Sequence, residues 1–255
     1  MKEMRSILNG MVACGVALLM VTTLAAQTAN ESAAKVVRLK GGARYKIGNN
    51  DWQPLKAGDV VKPGTLIQTA SSSRVDLVLG DGSAPVARPV MGDSLSYHPT
   101  AEQNIVRIWE NTLLGVDKLT VTQTGADEVT DTQLDLKAGH VFGVVKKMSA
   151  ASKYEVKLPN GVAGIRGTTY DISAEGVVKV LSGSMVLAYV GPNGAVMTQI
   201  INALQEFDAR TGALSPLPDL DKTGMIELVT MVHAGLVPPV VPIAANKSLQ
   251  FISPH

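Results

Sequence analysis

The chain echoes itself, and that constrains its fold more than any other feature. LKAGDVV at 55–61 returns as LKAGHVF at 136–142, and SSSRVDLVLGDG at 71–82 is matched by AASKYEVKLPNG at 150–161. The offsets, 81 residues for the first pair (55 to 136) and 79 for the second (71 to 150), differ only slightly, as expected when loops drift while strands keep their faces. In the second pair apolar residues alternate with polar ones, Val75, Leu77 and Leu79 in one copy, Tyr154, Val156 and Leu158 in the other. A period of two places each set on one face of a half-buried strand. The closing Asp81-Gly82 and Asn160-Gly161 read as tight hairpin turns in which glycine takes a positive φ. Two related β-units follow.

Further short strands are expected at 36–40, 43–47, 118–122, 176–181 and 184–190, separated by turn signals at GG (41–42), GNND (48–51) and GPNG (191–194). With 24 glycines, 13 prolines and only 4% aromatic residues, the 45% hydrophobic content points to a core of Val, Leu and Ile. No long helices alternate with the strands, which argues for an all-β fold: an antiparallel sandwich or a short solenoid. After about residue 200 the character changes. From 221 to 233, Met225, Leu228, Val229 and Val232 recur at helical spacing and predict a short helix with one apolar face. Beyond it lies a proline-rich tail, LVPPVVPIAANKSLQFISPH. The expected division is a leader at 1–26, a β domain at 36–190, and a C-terminal extension at 191–255.

The leader has a charged start (Lys2, Arg5), an apolar run and small residues at its end, the layout of a secretory signal with a cut after Ala25 or Ala26. The expectation is export to the periplasm or beyond, with an uncleaved N-terminal anchor as the alternative. After cleavage no stable membrane span is expected. The chain has 23 basic and 22 acidic residues; without Lys2, Arg5 and Glu3, 21 of each remain. A balanced surface offers no field to attract nucleic acid. Cys14, the single cysteine, lies in the leader, so a disulfide, a thiol nucleophile and a cysteine metal site are excluded from the mature chain.

GVAGIRGTTYDI at 161–172 carries three glycines around an arginine. A phosphate loop needs Lys-Ser/Thr after its last glycine, whereas Gly167 is followed by Thr168 and Thr169. A dinucleotide site needs a helix there, and the following residues are β-branched. The stretch instead reads as a hairpin turn at Asn160-Gly161 feeding a strand from Ile165 to Ile172, with Gly164 and Gly167 allowing close backbone approach or a bulge. Arg166 is expected to brace the bend internally; the other reading is contact with a partner or an anionic ligand. LSGSMV at 181–186 lacks the second glycine of a nucleophile elbow and reads as a hairpin. His98, His140, His233 and His255 show no ligand spacing, Asp127 with Glu128 reads as a solvated loop, and Trp52 and Trp109 read as core caps rather than sugar platforms. No cofactor or metal is called for.

LKAGDVV, the following LIQTASSSRVDLVLGDGS, the second LKAGHVF and the closing VKLPNGVAGIRGTTYDI with VVKVLSGSMVL together resemble the FecR domain of bacterial envelope proteins across about residues 36–190. IRGT followed by a strand is the most specific part. The resemblance implies an all-β, non-enzymatic domain whose motif residues, Gly161, Gly164, Arg166, Gly167 and Thr168, are structural. It also implies a signalling role by protein contact, in which the best-understood members relay a signal from an outer-membrane transporter to a sigma factor. The implied partner is an envelope protein such as the signalling domain of a TonB-dependent transporter. Those members carry an anti-sigma segment and a transmembrane helix ahead of the domain; here the leader suggests a stand-alone periplasmic form. The competing expectation is an envelope structural or ligand-binding module that attaches to peptidoglycan or polysaccharide, or assembles with itself.

Overall fold

The computed structural model describes residues 29–80, 103–124, 127–191 and 193–234. The leader, the Asp81-Gly82 turn, His98, His255 and the proline-rich tail lie outside the described residues. In chain order the strands are β1 (Asn30–Glu31), β2 (Ala33–Lys40), β3 (Ala43–Ile47), β4 (Gln53–Pro54), β5 (Val60–Val61), β6 (Thr65–Thr69), β7 (Arg74–Gly80), β8 (Asn104–Ile108), β9 (Leu113–Thr124) and β10 (Asp127–Ala138). They continue as β11 (His140–Val144), β12 (Lys153–Leu158), β13 (Gly161–Ile165), β14 (Thr169–Ser173), β15 (Val177–Ser182), β16 (Ser184–Val190), β17 (Val196–Asn202), β18 (Gln205–Asp208) and β19 (Ala213–Pro216), before helix α1 (Asp219–Ala234). The expected strands at 43–47 and 184–190 match β3 and β16 end to end.

Two sheets form. Sheet A is ordered β17, β16, β13, β12, β10, β9, β6, β3, β4, with β1 beside β9; sheet B is ordered β19, β18, β15, β14, β11, β8, β7, β2, β5. Strand number falls along both sheets in the orders given, apart from the closing β3–β4 and β2–β5 pairs, so the chain crosses back and forth between them as it advances. The alternatives of sandwich and solenoid thus meet in one architecture: two facing sheets wound progressively by a single chain. All strand pairs are antiparallel except β10 with β12. Parallel neighbours need a crossover connection, and here β11, lying in the opposite sheet, is part of it.

The alternation read from the sequence is what fills the space between the sheets. Val75, Leu77 and Leu79 of β7 and Tyr154, Val156 and Leu158 of β12 all enter the central core with Ile67, Leu114, Leu134 and Phe207. Each such side chain contributes about 1.5–3 kcal/mol when fully buried. Two tyrosines meet across the core, Tyr154 from sheet A and Tyr170 from sheet B, with hydroxyls 3.0 Å apart. Burial pushes both phenols above their ordinary pKa, so they stay neutral. Gly143 makes room for this pair, because a methyl group there would lie 2.2 Å from Cζ of Tyr170.

The two sequence echoes are placed differently by the fold. LKAGDVV and LKAGHVF both lead into sheet B, as β5 and β11, but β7 lies in sheet B and its counterpart β12 in sheet A. Side-chain alternation is the same for either sheet, and the register with neighbours decides which one a strand joins. The sheets also continue past residue 190: β17, β18 and β19 extend both of them beyond the expected edge of the β domain. Helix α1 spans the predicted 221–233 and lays Met225 and Val232, with Leu228 and Val229, on Val78, Ile105, Phe142 and Val144 of sheet B. This second core explains why β8 is buried on both faces.

Candidate functional site

The strand expected from Ile165 to Ile172 is two strands in two sheets. β13 ends at Ile165 in sheet A and β14 begins at Thr169 in sheet B, so Arg166, Gly167 and Thr168 form the corner where the chain changes sheet. LSGSMV is likewise a corner and not a hairpin, since β15 belongs to sheet B and β16 to sheet A. The two corners pack on each other. Gly183 has φ +81°, a region L side chains rarely enter, and a methyl group there would lie 2.3 Å from the Gly167 carbonyl oxygen. Thr168 is buried, donates its hydroxyl to the Ser184 carbonyl at 2.6 Å, and accepts at its own carbonyl from the Val145 amide at 3.0 Å. Lys147 backbone passes within 3.2 Å of where a Gly167 Cβ would sit. Three passages of chain are stapled at one point on the rim.

The same device recurs twice. Gly41 packs on Ser73, and the next amide, of Gly42, donates to Ser73 Oγ at 2.9 Å. Gly139 packs on Thr112, and the next amide, of His140, donates to Thr112 Oγ1 at 3.2 Å. Each corner thus joins a glycine of positive φ to a buried hydroxyl residue of a neighbouring corner, with a hydrogen bond to the residue after the glycine.

The remaining motif residues divide clearly. Gly161 ends the β12–β13 hairpin, as expected, but without a positive φ; it is required because a Cβ would lie 2.4 Å from the Ala188 carbonyl oxygen. Gly164 faces the Val186 carbonyl at an ordinary 3.7 Å. Arg166 is exposed and has no ion-pair or hydrogen-bond partner among the described residues. The internal brace expected of it is supplied by Thr168, whose short side chain reaches the neighbouring corner while the guanidinium projects to solvent.

Sequence reading missed a second polar assembly, on the outer face of sheet B. Register aligns Arg38, Asp76, Arg107, Phe142, Asp171, Lys179 and Glu206 in one transverse row across seven strands. Arg107, 0% exposed, holds Asp76 in a two-pronged ion pair at 2.7 and 2.9 Å, and its guanidinium lies 5.5 Å from the Trp109 ring. Trp109 in turn stacks on His140. Lys179 reaches Asp221 of helix α1 at 3.0 Å and Glu206 at 4.0 Å. Burial raises Asp171 to about 7, opposed by Lys179 and reinforced by Asp221. His140 is pushed below its usual value by burial and by Lys179. The isolated Asp in RVDLVLG was the signal available for this row.

The row is a salt-bridged seam beneath a helix, and the serines and threonines of the corners bond to backbone. A hollow of about 410 Å³ beside Arg44, Gln68 and Asn111 holds no nucleophile paired with a base. Among the described residues no three His, Asp, Glu or Cys side chains are placed to hold a metal ion, and no helix is long and apolar enough to cross a membrane. Trp52 lies at the surface under Arg44 and Lys46, and Glu128 pairs with Lys146 at 3.6 Å at the start of β10.

No match is found among curated proteins. Two crystal structures from Parabacteroides distasonis ATCC 8503, each described as a "putative anti-sigma factor", are similar at 12% identity. One covers 59% of this chain and 57% of its own at a TM-score of 0.38, the other 46% and 52% at 0.32. The chain therefore spans little more than half the length of these structures. Residues 100–185, the stretch that contains the Gly139–Thr112 and Gly183–Thr168 corners, match the family model described as FecR protein.

Proposed function

We propose that the protein is an exported signal-regulation module of the cell envelope that works by protein contact and not by catalysis. One observation carries this reading: Thr168 and Gly183 are consumed in stapling two corners, the threonine buried and bonded to backbone, the glycine left no room for a side chain against Gly167 and Thr168. What such a scaffold offers a partner is its outer surface, with the exposed Arg166 at the rim and the strand edges at the ends of the sheets. The match to the FecR family supports signal regulation as the context, and the signal-like leader supports export.

In-cell photo-crosslinking from position 166 and from the outer face of β12 tests the reading. Capture of a membrane-bound regulator, or of a transporter's periplasmic signalling domain, is the expected result. Capture restricted to peptidoglycan-linked material would overturn it in favour of a structural module.

A further inference from the structure

The four ends of the two sheets are not alike. β4 is two residues long and contains Pro54, β5 is two residues long, and β19 is four residues long and ends in Pro216. Short edge strands and proline are how sheet proteins prevent edge-to-edge pairing. β17, the remaining end, has seven residues, VMTQIIN, with neither proline nor charge. From Val180 to Gln205 the chain runs 26 residues without a single Asp, Glu, Lys or Arg.

Apolar side chains accompany that edge, which has no further strand beside it among the described residues. Val196 is 77% and Ile200 56% exposed, and register sets them beside exposed Val190 and Val186 of β16 on the outer face of sheet A. Met197, Leu204 and Leu214 are exposed around the same end of the sandwich. The other half of that outer face is laced with charge: Lys157 with Asp117, Lys118 with Asp131, Lys153 with Glu155 and Lys137 with Asp135. A pairing surface that is neutral over its whole length is complementary to another neutral strand, since any charge brought against it would be stripped of water without a partner. The same strand of a second copy meets that requirement along all seven residues.

We infer that β17 is the joint of a two-fold homodimer, in which the strand pairs antiparallel with β17 of a second copy and sheet A continues across both protomers. Pairing centred near Gln199 sets Thr198 of each copy close to Ile200 of the other, and Val196 close to Asn202, so no charge is buried. This goes beyond the protein-contact reading: a contact of the chain with itself stands independently of which envelope protein it meets.

Sedimentation velocity on the full chain as purified from cells, from about 1 to about 100 μM, tests the joint. Wild type is expected to dimerise within this range. Val196→Lys with Ile200→Lys should weaken dimerisation at least tenfold, in line with the ~1.4 kcal/mol that a tenfold change represents, while Val60→Lys at the short β5 edge leaves it intact. Single cysteines at positions 198, 199 and 200 supply a readout that does not depend on the lysine variants folding. At least one should form a disulfide between copies, and none should form with cysteine at position 60. A monomer at the top concentration, a dimer untouched by the lysines, or a dimer without any crosslink at the three positions overturns the inference. A monomer that still captures an envelope protein in cells would sink the dimer and leave the contact reading standing; a dimer that captures no envelope protein would do the reverse.

Discussion

Thr168 and Gly183 hold two sheet-changing corners together: the threonine hydroxyl donates to the carbonyl of Ser184 at 2.6 Å, and the glycine has no room for a side chain against Gly167 and Thr168. Gly183→Ala combines a left-handed backbone with a backbone overlap, and about 2–5 kcal/mol of lost stability is expected. Gly48→Ala is the control: its φ is +56° but nothing lies within 4 Å, so about 1–2 kcal/mol is expected. Thr168→Val, nearly isosteric, should cost about 1–3 kcal/mol by stranding the carbonyl, and Thr168→Ser should recover most of it. Urea unfolding of the four variants checks the ranking.

Arg166 sits at the same corner, next to Gly167, and takes no part in the staple. Its side chain is exposed and unpartnered among the described residues, so Arg166→Ala is expected to change unfolding free energy by less than about 0.5 kcal/mol. A drop in the urea midpoint comparable to that of Thr168→Val would show that the guanidinium braces the corner after all.

On the outer face of sheet B the outcome depends on how many partners are removed. Arg107→Met leaves Asp76 buried without its two-pronged partner, and a loss of about 3–5 kcal/mol is expected. Arg107→Met with Asp76→Leu removes both charges and should recover most of that loss, leaving Arg38 free at the half-exposed end of the row. Thermal unfolding of the single and double variants forms the cycle; an additive double variant would contradict a coupled pair.

These relationships explain what could be read in advance. Strand alternation at Val75, Leu77 and Leu79 needs only a period of two, and the helical face at Met225, Leu228, Val229 and Val232 only a period of 3.6, so both are local and legible. The choice of sheet is not local. LPNGVAGI closes a hairpin as expected, but IRGT and LSGS turn between layers because of what packs against them, 16 residues apart in sequence. The three stapled corners at Gly41, Gly139 and Gly183 do not follow the period of the echo either: Gly58, the counterpart of Gly139, faces open space. Apart from the isolated Asp76, the row from Arg38 to Glu206 could not be assembled in advance for the same reason, since each strand supplies one residue and only the register brings them together.

Asp171 gives that row a pH dependence whose sign can be worked out. Its carboxyl is raised to about 7 by burial, above the ordinary 3.8, while Lys179 across the strand pair favours ionisation, Asp221 of helix α1 opposes it, and the Trp109 indole favours it slightly. Because the folded state holds the proton more tightly than the unfolded chain, this group stabilises the fold fully below about pH 4, and the contribution is lost as pH rises to about 7. His140 works in a neighbouring window with the opposite slope: its lowered pKa makes stability fall as pH drops below 6.5. The difference between wild type and Asp171→Asn isolates the carboxyl. The variant is expected to gain stability relative to wild type progressively from pH 4 to 7 and hold that gain constant above, measured by urea unfolding at fixed ionic strength. Helix α1 should report the change most directly, since Asp221 shares Lys179 with Asp171 and is relieved of a neighbouring charge. Amide exchange along residues 219–234 that slows in the variant at pH 8 but not at pH 5 would locate the effect there; a pH-independent difference would show that Asp171 is ionised throughout.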